Sequence, residues 1–123
     1  MMRLSSLGAA LAGLDGLMAV AAGAFGAHGV ADPAVKALLQ TGAQYQLIHA
    51  VAALVILSGG RFNQGASRWA GALFGLGGLL FGGSLYLLAL TGVRVLGAVT
   101  PLGGLLMLAG WACVIWGSLA KAG

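Results

Sequence analysis

The chain contains no glutamate, two aspartates and six Lys or Arg among its 123 residues. Charged residues make up 7% of it, against roughly 25% in a soluble domain. Such a chain cannot cover a core with polar surface, which excludes an ordinary soluble globular protein. Intrinsic disorder is excluded too, because it needs high charge and low hydrophobicity. Cys113 is the only cysteine, so there is no intramolecular disulfide and no multi-thiol metal site. It lies in an apolar run and reads as a small core hydrophobe. The net charge of +4 comes from cations scattered singly, with no stripe that could track phosphates. No nucleic-acid partner is expected.

What is present is apolar. Hydrophobic residues make up 60% of the chain and glycine contributes 23 more. Four runs are long enough to cross about 30 Å of hydrocarbon as helices. They cover approximately 4–27, 42–58, 69–90 and 100–118. Residues 1–27 have the outline of a signal peptide, but the apolar run is long for one and Asp15 interrupts it, so it reads as the first span. Asp32-Pro33 is a cap and first-turn pair that extends the second run backwards, with 34–41 as a surface turn or two and a bend at Gly42. Thr100-Pro101 reads the same way at the start of the fourth. Apolar residues on every face of each run argue against β-barrel strands, which would alternate. Short connections join antiparallel neighbours. The expected fold is an all-α membrane protein, a four-transmembrane-helix antiparallel up-down bundle with no β structure, forming a single domain over 1–123.

Arg3, Arg61, Arg68 and Lys121 fall on one side of such a bundle, Lys36 and Arg94 on the other. That count favours both termini in the cytoplasm. Helices in lipid gain little from hydrophobic burial and associate through close packing. Gly8, Ala12 and Gly16 are spaced by four, as are Gly71 and Gly75, and Gly78 and Gly82. Gly103, Gly110 and Gly117 are spaced by seven. These stripes imply tight packing inside one bundle or between subunits, and their abundance favours a homo-oligomer or a larger membrane complex alongside the lipid bilayer. Gly75-Leu76-Gly77-Gly78 is not a phosphate loop, since it lacks the third glycine, a preceding strand and a following Lys.

Polar groups at membrane depth are costly and mark candidate sites. Tyr45 and His49 are four apart on one helical face, and Gln46 flanks it. Counted from the outer end, Asp15 lies about 20 Å deep and His49 about 10 Å deep. A second helix that starts lower would bring them together as a buried pair; otherwise Asp15 is neutral or faces another subunit. His28 and His49 differ in depth by about 10 Å, which disfavours haem held between them. Two histidines without nearby Cys or Glu are too few for zinc, and Ser84 with His49 lacks an orienting carboxylate. No cofactor or metal is expected. Residues 23–29, 42–49, 82–86 and 100–104 all fall in the outer half, and the inner half is nearly bare of polar groups. The expectation is a polar cluster or small pocket open to the outer side, drawn from His28, Tyr45, Gln46, His49, Ser84, Tyr86 and Thr100, with Asp15 below.

The segments Gly23-Ala24-Phe25-Gly26-Ala27-His28-Gly29, Thr41-Gly42-x-x-Tyr45-Gln46-x-x-His49, Gly83-Ser84-Leu85-Tyr86 and Thr100-Pro101-x-Gly103-Gly104 resemble the YgdD/YwdK family in order and spacing. That family consists of small bacterial membrane proteins of unknown function, with a mitochondrial relative. The resemblance implies four spans and a membrane location, and no activity. Two positions depart from it: Gly82 stands where the family often has Ser, and Asp15 is unusual for the first span. Three functions fit these features. The first is a non-enzymatic accessory or scaffold protein packing through glycine faces. The second is a conduit or carrier for a small solute, ion or lipid. The third, less favoured, is a lipid- or quinone-modifying enzyme using His49 and Tyr45 as acid and base.

Overall fold

A computed structural model describes residues 4–59 and 63–120. Within them the chain forms four helices, α1 (Leu4–His28), α2 (Pro33–Ser58), α3 (Gln64–Thr91) and α4 (Leu96–Leu119), and no strand. Each is long and apolar enough to cross a membrane. The fold is an all-α membrane bundle. Of the basic residues that suggest its orientation, Arg3, Arg61 and Lys121 lie outside the described residues.

Contacts at the glycines fix the helix directions. Gly8 near the start of α1 lies against Leu57 near the end of α2, while Gly26 near the end of α1 lies against Leu39 near the start of α2. Gly42 packs on Leu85 and Tyr86, and Gly71 on Leu57, so α2 and α3 also run antiparallel. Gly103 meets Phe81 and Gly110 meets Phe74, which reverses α4 against α3. The chain thus goes up and down, and α3 is its hub. It packs extensively on α2 and α4 and more lightly on α1, while α1 and α4 have no comparable contact with each other.

The helix ends follow local chemistry. Asp32 Oδ1 accepts the Ala34 backbone N–H at 2.9 Å with Pro33 in the first turn, the expected cap. Asn63 caps α3 by accepting from Ala66 N–H at 3.1 Å. Gly92, with φ of 73°, closes α3 in the left-handed conformation that favours glycine, its N–H bonded to Leu88 O at 2.8 Å.

The second helix starts where the Asp32-Pro33 pair implies, but the reading of segment 34–41 and the start of the fourth helix differ from the sequence expectation. The second helix is continuous from Pro33, and segment 34–41 is part of it, with Leu39 among its buried residues. The helix runs unbroken through Gly42. Its missing side chain lets the Tyr86 ring in, since a Cβ there would lie 2.7 Å from Tyr86 Cε1. The fourth helix starts at Leu96, so Thr100-Pro101 does not cap it and Pro101 lies inside it. Tight backbone bonds from Leu96, Gly97 and Ala98 back to Val93, Arg94 and Val95 initiate this helix. Pro101 follows within about two turns of that start, where transmembrane helices tolerate proline.

The small-residue stripes divide into two groups. Gly8 and Gly71 both accommodate Leu57, Gly75 accommodates Leu11, Gly78 the Asp15 carboxyl and Gly82 the Gln46 amide. Gly117 is buried and its carbonyl accepts from Asn63 N–H at 3.3 Å. Gly16, expected among the packing positions, has nothing within 4 Å of where a Cβ would sit; the same holds for Gly13, Gly83 and Gly104. Helical spacing puts Gly16 on the α1 stripe, but the stripe turns away from α2 and α3 at that point. Gly77, absent from the expected set, makes one of the closest backbone contacts, with Gly103 O 2.9 Å from its Cβ position.

Candidate functional site

The two aligned helices α1 and α2 determine which polar side chains meet. Asp15 lies thirteen residues before His28, the end of α1, and Gln46 thirteen residues after Pro33, the start of α2. Both therefore sit about 20 Å from the turn that joins the helices. Asp15 and Gln46 are fully enclosed. Gln46 Nε2 donates to Asp15 Oδ1 at 2.7 Å, and Tyr86 Oη donates to Gln46 Oε1 at 2.6 Å. A directional chain of hydrogen bonds thus runs from α3 through α2 to α1. Gly82 makes it sterically possible, because a Cβ there would lie 2.6 Å from Gln46 Oε1. Among the described residues, Asp15 Oδ2 has no hydrogen-bond partner, although it is buried.

His49 is not part of this chain, which overturns the pairing of Asp15 with His49. It lies one turn further along α2 and faces α4. Its Nδ1 is 2.7 Å from Tyr45 O, and Trp111 Nε1 donates to its Nε2 at 2.9 Å. A carbonyl only accepts and an indole N–H only donates, so Nδ1 carries the hydrogen and Nε2 the lone pair. Both ring nitrogens are thus engaged. The imidazole is further enclosed by Phe74 and Trp111 rings, edge-on at 5.5 and 5.8 Å between centroids. No group of three or more His, Cys, Asp or Glu among the described residues is placed to hold a metal ion.

A third set joins α3 to α4 nearer the loop end. Ser84 Oγ and Thr100 Oγ1 are 2.6 Å apart, so one hydroxyl donates to the other, and the accepting hydroxyl is left to donate to its own helix, Ser84 to Phe81 O at 3.0 Å or Thr100 to Leu96 O at 3.3 Å. Tyr45 is half exposed, its ring 5.1 Å from that of Phe81. It borders a groove of about 690 Å³ between α2 and α4, with Phe81 of α3 also lining it. Thr41, His49, Pro101, Gly104 and Trp111 line the same groove. His28 is exposed at the end of α1.

The expected single outer pocket is therefore three separate arrangements. Asp15, Gln46 and Tyr86 form one, Tyr45 and His49 with Trp111 another, and Ser84 with Thr100 the third; His28 joins none of them. Nor is the polar material confined to one half, because α2 begins nine residues before Gly42 and carries Gln46 to mid-helix and His49 past it. Trp111, in an apolar run, is not among the residues that the sequence singles out. Counting from the loop end would have found it. It lies fifteen residues after Leu96, and His49 sixteen after Pro33, so the two share a depth.

Comparison with known proteins gives a consistent result. Residues 22–104 match the model of a family described as a protein of unknown function, DUF423. A UPF0382 membrane protein of Staphylococcus epidermidis is 43% identical over 117 residues, covering 92% of this chain and 95% of that one. The UPF0382 membrane protein YwdK of Bacillus subtilis is 39% identical over 110 residues, covering 85% and 89%. A UPF0382 membrane protein of the fission yeast Schizosaccharomyces pombe is 38% identical over 114 residues, covering 85% and 95%. No solved structure matches the chain.

Proposed function

Since the chain belongs to the YwdK-like UPF0382 family of small membrane proteins (DUF423), whose description assigns no activity, we propose that it is a non-enzymatic accessory or scaffold protein of the bacterial plasma membrane. It assembles with copies of itself or with a larger membrane complex, both termini in the cytoplasm. The carrying observation is that the polar side chains of the spans bond one another across helices. Gln46 joins Asp15 and Tyr86, His49 joins Trp111, and Ser84 joins Thr100. Such bonds act as interhelical glue. Assembly is supported by Gly13, Gly16, Gly83 and Gly104, which offer close approach to another helix and are not used within the chain. An enzyme using His49 as acid or base is disfavoured, because both of its nitrogens are already bonded.

The groove beside Tyr45 supports a second reading, a carrier for a small solute, ion or lipid. Its volume suits a ligand of moderate size, and aromatic rings with the Thr41 side chain border it. Crosslinking in native membranes, followed by mass measurement in mild detergent, separates the two readings. The scaffold reading expects a multimer or a stable partner; a lone monomer with no crosslinked partner overturns it. Reconstituted liposomes that pass a solute would favour the carrier. Reporter fusions at each terminus should both signal from the cytoplasm, and a signal from the other side would reverse the topology.

A further inference from the structure

Asp15 is a buried carboxyl with one unused oxygen. It is 0% exposed at the middle of α1, and Oδ2 has no hydrogen-bond partner among the described residues, while Oδ1 accepts from Gln46. Among the described residues, none of the groups placed around it is cationic. On α1 one turn away is Met18, whose sulfur is 3.7 Å from Gln46 Nε2. On α2 the facing group is the Gln46 amide. On α3 it is Gly78, whose Cβ position lies 3.4 Å from Oδ1 and 3.6 Å from Oδ2. Tyr86 acts only through Gln46, and His49 faces α4 instead. A carboxylate held there without a counter-charge would carry a desolvation cost that nothing nearby offsets.

A proton, a metal cation or a cation from another chain could supply the missing partner. The orientation of Gln46 discriminates among them. Its oxygen takes the Tyr86 hydroxyl hydrogen, so its amino group faces the carboxyl. An amino group repels a metal cation, and hard cations need several oxygen ligands. The enclosure of the carboxyl leaves no face for a side chain of another subunit. We propose that Asp15 is a proton-binding site at mid-membrane, with the proton on Oδ2 and the Gln46 amide holding Oδ1 as the carbonyl oxygen. This goes beyond the accessory role and does not depend on it.

Infrared spectroscopy of the full chain in lipid at neutral pH tests this. Asp15 and Asp32 are the only side-chain carboxyls in the sequence, so the D32N variant leaves Asp15 alone with the C-terminal carboxylate. Aspartate labelled with ¹³C at the side-chain carboxyl identifies its band whether or not D15N folds. The proposal expects a labelled carboxylic-acid C=O band that moves in deuterium oxide and is absent from D15N. It also expects Q46L to shift that band to higher wavenumber, because the C=O at Oδ1 then loses its hydrogen bond. A labelled signal of ionised carboxylate only would overturn the bound proton. An acid band that Q46L leaves in place would overturn the assignment of the proton to Oδ2.

Discussion

On the α1–α2 side of α3, glycines make room for side chains. Gly78 faces the Asp15 carboxyl, Gly82 the Gln46 amide, and Gly71 and Gly75 face Leu57 and Leu11. On the α4 side they make room for backbone and rings. A Cβ on Gly103 would lie 2.5 Å from Phe81 N, and one on Gly110 would lie 2.6 Å from the Phe74 ring. The first interface adds direction through the Tyr86–Gln46–Asp15 chain. The second gains proximity, with the His49–Trp111 bond at its edge. One residue type thus serves two ends. Where a glycine faces a flexible side chain, substitution can be absorbed by movement; where it faces backbone, a whole helix must shift.

Four substitutions sharpen that contrast. Gly103→Ala should have the largest effect, because its methyl meets the Phe81 backbone. Overpacking of this kind costs about 1–3 kcal/mol or more, read as a lower unfolding midpoint in detergent. A midpoint equal to that of the parent would mean that α3 and α4 are not in close contact. Gln46→Leu should come next. It leaves the Tyr86 hydroxyl and Asp15 Oδ1 unpaired inside the bundle, at about 1–3 kcal/mol for a buried unsatisfied group. Tyr86→Phe removes one bond and keeps the ring, so about 1 kcal/mol or less is expected in a membrane setting. If Tyr86→Phe costs as much as Gln46→Leu, the two bonds of the chain are not separable, which a double-mutant cycle would measure directly.

Gly16→Ala should be the mildest for the monomer. Its Cβ meets nothing, and alanine gains up to about 1 kcal/mol over glycine in helix propensity. Its informative readout is assembly. Where Gly16 packs on another subunit, the multimer should weaken while the monomer's unfolding midpoint holds or rises. An unchanged multimer would remove α1 from the interface.

Much of the fold was legible from residues alone. Apolar runs bounded by Asp32-Pro33 and the Arg94 loop required four helices, and the loop lengths required neighbours to run antiparallel. The glycine stripes gave Gly8, Gly71, Gly75, Gly78, Gly82, Gly103 and Gly110 as close-contact positions. Which side chains pair was not legible, because pairing depends on depth and depth depends on where each helix begins. Starting the second helix at Gly42 instead of Pro33 misplaces its side chains by nine residues, or about 14 Å. Counted from Gly42, Gln46 lies far shallower than Asp15, which hides the Asp15–Gln46 bond; the Asp15–His49 pair rests on a lower start, and at the observed start the rotation of α2 turns His49 toward α4 instead.

Composition alone determined that this chain lives in lipid and crosses it as helices, because a backbone without water must bond within its own segment and eight charges cannot clothe a soluble surface. The tertiary structure alone decided that Gln46 belongs to Asp15 and Tyr86 while His49 belongs to Trp111. Neighbouring positions on one helix face different partners, and only the rotation and register of the packed helices select among them.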